Sequence, residues 1–99
     1  MNTTKYRKWW YYIVLTMIRN YAKTKPTTKQ GIIIEKAMEE TIKETVNYNN
    51  YRSRLQAIEL IFFRGYSTTK VAQELHFSER TVKQWKQDFV YEVGENAGF

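Results

Sequence analysis

Residues 65–89 constrain the fold most. They divide into two amphipathic segments joined by a turn, and each segment is preceded by a residue that can cap a helix. Val71, Ala72 and Leu75 fall on one face of the first segment at helical spacing. Ser67 or Thr68 can cap its N-terminus. Ala72 is small, so a following helix can approach closely.

The turn between the two segments is predicted at His76 and Phe77. Ser78 follows and can cap the second segment by accepting a hydrogen bond from an otherwise unpaired backbone N–H. Glu79, in the first turn, complements the helix dipole. Many motifs of this kind have glycine where this chain has His76.

The second segment has one apolar and one polar face. The apolar face is expected to pack on the first segment and on Leu55, Ile58 and Phe62, and it consists of Val82, Trp85 and Phe89. The opposite face carries side chains that can reach bases or phosphates: Arg80, Lys83, Gln84, Gln87 and Tyr91. This pattern predicts a helix-turn-helix, whose second helix lies in the major groove of DNA. An ordinary helical hairpin with a solvated polar face is the alternative.

Double-stranded DNA is therefore the expected partner. In a helix-turn-helix the first helix crosses the DNA backbone and the second reads base edges, so candidate contacts lie on both. The candidate DNA-binding residues are Thr68, Thr69, Lys70, Ser78, Glu79, Arg80, Thr81, Lys83, Gln84, Lys86 and Gln87.

Helical periodicity continues upstream, and with only four Gly and one Pro the chain has few turns for strands. A first helix is predicted over residues 5–23, with an apolar stripe of Tyr6, Trp9, Ile13, Met17 and Tyr21 flanked by Trp10, Val14 and Ile18. Pro26 ends it.

A second helix is predicted from Lys29 or Gly31 to about Val46, with Ile34, Ala37, Met38, Ile42 and Thr45 on its apolar face. A third runs from Tyr51 to Arg64, where Gly65 can take the left-handed position.

The predicted fold class is thus all-α, a small helical domain with a C-terminal helix-turn-helix. Residues 1–50 form an N-terminal helical segment that offers a dimer or partner surface, and residues 51–99 form the DNA-binding region.

The chain has a formal net charge of +6, which suits a polyanionic partner. Its first 34 residues contain no acid, and their cations are here called the basic arm: Lys5, Arg7, Lys8, Arg19, Lys23, Lys25 and Lys29. The arm is expected to touch DNA backbone, although a membrane-surface stripe or a segment without a specific target is also compatible. The Glu residues that follow, among them Glu39, Glu40 and Glu44, read as an exposed, salt-bridged helix face with Lys36 and Lys43.

The sequence offers little material for catalysis. There is no cysteine, His76 is the only histidine, and no glycine-rich phosphate loop occurs. We therefore expect no metal, no cofactor, no catalytic residue and no enzymatic activity. The default compartment is the cytoplasm, that of the host if the chain is phage-encoded, and the apolar run over residues 9–18 is too short to span a membrane.

The aromatic residues of that run, Trp9, Trp10, Tyr11 and Tyr12, could stack on single-stranded bases. Core packing or a dimer interface is favoured for so apolar a segment, which leaves a homodimer open.

Residues 71–85 resemble the C-terminal segment of RinA-type phage transcriptional regulators, which is similar to the DNA-binding region 4 of sigma-70 factors. Residues 89–94 fit that family's helix end, and residues 18–25 resemble its N-terminal helix. The resemblance covers about the last 35 residues. It implies a sequence-specific transcriptional regulator that activates late phage genes, working beside the host RNA polymerase.

Two other functions remain open. A small terminase subunit for DNA packaging also uses a helix-turn-helix and assembles into rings. A protein-only adaptor could use a sigma-like fold to occupy RNA polymerase. The mass in solution distinguishes a ring-forming terminase subunit from the regulator. A DNA titration distinguishes the protein-only adaptor from both.

Overall fold

The computed structural model describes residues 8–24 and 28–99 and shows five helices there. They are α1 (Tyr11–Thr24), α2 (Lys29–Thr45), α3 (Tyr51–Ile58), α4 (Thr68–Leu75) and α5 (Glu79–Asn96). One π-helical turn, Glu59–Phe63, continues directly from α3. All regular structure in the described ranges is helical, so the predicted all-α class is confirmed.

Helix α1 is rotated relative to the predicted apolar stripe. Its core side chains are Trp10, just before the helix, and Tyr11, Val14, Leu15 and Ile18. Trp9 is 79% exposed and Ile13 is 46% exposed, so the predicted stripe was wrong at these two positions. It was right about Val14 and Ile18, which are buried, and Met17 and Tyr21 are half-buried against the core. The run is apolar on all sides, and spacing alone therefore cannot fix which side faces the core. Residues 8–10 precede the helix, so the predicted helical start was wrong over them; residues 5–7 lie outside the described residues.

Helix α2 has the predicted bounds, and Thr28 caps it by accepting a hydrogen bond from the Gly31 N–H. One core position differs from the prediction: Thr41 is buried, whereas Ile42 is 40% exposed. The Thr41 hydroxyl donates to the Ala37 carbonyl over 2.8 Å. Burial of Thr41 is therefore compatible with the core, because its own helix satisfies its polar group.

The π-helical turn separates α3 from the helix-turn-helix. The Arg64 N–H donates to the Glu59 carbonyl, five residues back, which widens the last turn. Ile61 and Phe62 are buried there. Gly65 then takes a left-handed conformation with φ 72°, as predicted.

Helix α5 lies at the centre of the fold and packs against α1, α2, α3 and α4. The core draws on all five helices, and Phe89 of α5 stacks near Phe62 with ring centroids 5.7 Å apart. The division into residues 1–50 and 51–99 stays a prediction. Over residues 8–24 and 28–99, no helix has both the length and the apolar character needed to cross a membrane.

Candidate nucleic-acid interface

Two serine caps and a left-handed histidine shape the predicted helix-turn-helix. Ser67 Oγ accepts a hydrogen bond from the Lys70 N–H, and Ser78 Oγ accepts one from the Thr81 N–H, each over 3.1 Å. His76 ends α4 with φ 61° and ψ 41°. Histidine is among the residues found more often than most in this conformation, so it can replace glycine here. The predicted turn and the Ser78 cap are confirmed.

The packing of α4 on α5 fixes which side of α5 faces outward. Val71 and Ala72 of α4 and Val82 and Trp85 of α5 are buried, as predicted. Phe77 lies edge-on to Trp85 with ring centroids 4.8 Å apart, so the turn also packs on α5. Since this side of α5 faces the core, its polar side is presented to solvent.

Three predicted contact residues form a network where α4 meets α5. The Glu79 carboxylate accepts a short hydrogen bond from Thr69 Oγ1 and lies 3.0 Å from Lys83 Nζ. The hydrogen bond from Thr69, followed by the interaction with Lys83, lowers the pKa of Glu79. Glu79 thus joins the two helices and orients Lys83, while direct DNA contact by any of the three stays a prediction.

The outward surface of the first half of α5 is polar. Arg80, Lys83 and Gln84 are exposed, and Gln87 is half-buried. These side chains lie within about two turns of one another on a helix, on the face opposite Trp85. The structure therefore brings them together as the sequence predicts.

A second network borders this surface on the α3 side. Gln84 Nε2 donates to Asp88 Oδ1 over 2.8 Å, and Asp88 Oδ2 lies 3.6 Å from Arg54 Nη1. The Arg54 guanidinium in turn sits 4.0 Å from the centre of the Tyr48 ring. Arg54 was not predicted as part of the site, because no local spacing in the sequence links it to Asp88.

Tyr91 does not belong to the outward surface, contrary to the prediction. Its ring contacts the rings of Trp10 and Tyr11 edge-on, with centroids 5.7 and 5.4 Å away. Trp10 also packs on Gly94, where an added Cβ would lie 2.1 Å from Trp10 Cζ3. The start of α1 therefore covers the second half of α5.

The remaining candidates lie around α4 and on the flank of α5. The Lys70 ammonium lies 4.0 Å from the centre of the Tyr66 ring. Ser78 Oγ and Thr81 Oγ1 are 2.8 Å apart, so both hydroxyls take part in the cap. Thr68 and Lys86 are half-buried and line one cleft.

Within the basic arm, Lys8, Arg19, Lys23 and Lys29 are exposed. The other members lie outside the described residues: Lys5, Arg7 and Lys25.

Residues 52–90 match a family model described as "Putative ATPase subunit of terminase (gpP-like)". The match spans α3, the π-helical turn, α4 and most of α5, which is less than half of the chain. It supports similarity to phage DNA-binding and packaging proteins in this segment and does not single out the RinA-type regulators. No curated protein and no solved structure matches the chain significantly.

Proposed function

We propose that this chain binds double-stranded DNA in phage DNA packaging, with the first half of α5 in the major groove. One observation carries the proposal: the segment that matches the terminase family is the segment that folds as a helix-turn-helix with a polar outer face. The geometry of that motif supports DNA binding. The family match supports the packaging context.

The chemistry of the outward face suits direct reading of base edges. Arginine can make two hydrogen bonds to guanine, and glutamine can do the same with adenine. Arg80 is exposed in the first turns of α5, the part of a recognition helix that contacts bases. Gln84 and Gln87 follow it on the same side.

Although the family description names an ATPase subunit, we propose that this chain is not itself an enzyme. A phosphate-binding loop needs glycines spaced as G-x-x-x-x-G-K-[ST]. The four glycines here, Gly31, Gly65, Gly94 and Gly98, do not form that pattern. ATP turnover by the purified chain, lost on substitution of one of its own residues, would contradict this part of the proposal.

Selection of bound fragments from a random-sequence duplex pool at near-physiological salt tests DNA binding. An enriched motif is expected, and Arg80→Ala should weaken the base preference at one position of the motif without unfolding the protein. Absence of binding to any duplex would contradict the proposal. Binding without an enriched motif would confine the role of α5 to non-specific contact.

Mass in solution tests the packaging context against the regulator predicted from resemblance. We expect assemblies that contain several copies of the 12.0 kDa chain, with or without DNA. A monomer that binds promoter-like DNA only together with RNA polymerase would favour the late-gene regulator. A chain that binds polymerase and no DNA would favour the adaptor.

A further inference from the structure

A cleft of about 480 Å³ lies beside the helix-turn-helix, between α1, the π-helical turn, the start of α4 and the flank of α5. Three cations line it: Arg19 and Lys23 from α1 and Lys86 from α5. Ile61 and Phe62, which belong to the core, form part of its wall. The cleft is therefore a feature of tertiary packing rather than of one helix.

The charge of the cleft has a single sign. The other residues that line it are neutral, and no carboxylate is among them: Gly65, Tyr66, Ser67 and Thr68. Arg19 and Lys23 are four residues apart, so they share one face of α1. Cations gathered in a cleft with apolar walls focus the field and attract anions more strongly than dispersed surface charges do.

The cleft adjoins the surface that would face DNA. Lys86 directly precedes Gln87 on α5, and Thr68 begins α4, the helix that crosses the DNA backbone in this kind of motif. A duplex with its major groove on α5 therefore runs a strand of phosphates past this side of the protein.

We infer that Arg19, Lys23 and Lys86 bind the phosphodiester backbone of the same duplex that α5 reads, so that α1 is part of the DNA-binding surface. The inference rests on the proposed function and adds a contact outside the helix-turn-helix. Contacts of this kind raise affinity without choosing a sequence. They make binding dependent on salt, because each one releases counterions from DNA.

The test compares two double variants that remove the same charge. Arg19→Gln with Lys23→Gln alters the cleft, whereas Lys36→Gln with Lys43→Gln alters exposed lysines of α2 outside it. Each protein is titrated with a random-sequence duplex over about 50–200 mM salt. For the cleft variant the slope of log K against log salt should become shallower by about 2 units, which is roughly 60-fold in affinity at 0.1 M salt. Lys86→Gln should remove about 1 further unit.

The control variant should keep the slope of the parent, and all proteins should show the parent's helical content and enriched motif. Equal slopes for the cleft and control variants would overturn the inference. A changed preference among sequences would overturn it too, because the residues would then be reading bases. If the parent protein binds duplex and the cleft variant keeps the parent's slope, only this inference is contradicted. If the parent protein binds no duplex, the proposed function is contradicted as well.

Discussion

The two halves of α5 lie in different surroundings. In the first half, Arg80 and Lys83 face solvent. In the second half, Tyr91 falls on the same side of the helix, yet the aromatic rings at the start of α1 cover it. Both halves thus supply core residues, but only the first half leaves its opposite, polar side open to solvent.

This difference shows that α1 limits how far the exposed polar surface extends along α5. Trp10 can approach α5 closely because residue 94 is glycine and has no side chain there. At Tyr91 the outward side of α5 is therefore covered by the start of α1.

Truncating Trp85 should produce the largest effect, because it removes the centre of the packing between the first half of α5 and α4. Trp85 is 3% exposed, and loss of a core tryptophan costs about 3–5 kcal/mol of unfolding free energy. Chemical denaturation of Trp85→Ala measures this. Trp9→Ala is the matched control, since Trp9 is 79% exposed and its loss should change stability little. A stable Trp85→Ala variant that no longer binds DNA would place Trp85 at the interface and contradict the packing.

Adding one methyl group at Gly94 should destabilise the covered half of α5. In an open helix position Gly→Ala stabilises by about 0.5–1 kcal/mol. Here the new Cβ would overlap Trp10, and such overpacking costs about 1–3 kcal/mol. Thermal or chemical unfolding of Gly94→Ala measures whether the substitution lowers or raises the stability of the fold.

The smaller side chain in Trp10→Leu should relieve part of this penalty. A double-mutant cycle with Gly94→Ala therefore isolates the contact between the two residues. Additive effects in that cycle would show that Trp10 does not lie on Gly94 in solution.

Arg80→Ala should weaken specific binding by about 1–3 kcal/mol without changing the melting temperature, because the open half of α5 contributes Arg80 to the surface and not to the core. Gln84→Ala should lie at the lower end of that range, since Gln84 must first release Asp88. Titration with the selected duplex measures both. If neither variant binds more weakly than the parent, the reading face lies elsewhere.

Local chemistry explains most of what could be predicted from sequence. The caps at Ser67 and Ser78, the turn at His76 and the bounds of α2 each depend on residues within a few positions of one another. Such signals are visible in a single chain. They sufficed to predict the helix-turn-helix and its polar face.

What could not be predicted depends on contacts between distant segments. Trp10, at the start of α1, packs on Gly94 and on the ring of Tyr91, which are distant from it in the sequence. Apolar spacing in α1 allowed several rotations, so periodicity predicted a stripe that is wrong at Trp9 and Ile13. The charge count identified the basic arm, but only packing brings Arg19 and Lys23 next to Lys86.

The smallest effects should come from two carboxylates, one in each half of α5, whose pKa values shift in opposite directions. The pKa of Glu79 is lowered by its hydrogen bond from Thr69 and by Lys83. The pKa of Glu92 is raised, chiefly because burial disfavours its charged form, although Tyr48 donates a hydrogen bond to it over 2.8 Å. Linkage turns these opposite shifts into opposite dependences of stability on pH.

A lowered pKa means that ionised Glu79 stabilises the fold above the ordinary pKa of glutamate, and this contribution is lost as pH falls through the lowered value. For Glu92 the contribution is full below the ordinary pKa and is lost as pH rises through the raised value. At pH 7 we therefore expect Glu79→Gln to melt below the parent and Glu92→Gln to melt above it. Both differences should shrink in acid, where all three proteins carry neutral side chains at these positions. Melting curves from pH 7 downward check this, and differences of the same sign would mean that the two halves of α5 do not differ in their surroundings as the structure shows.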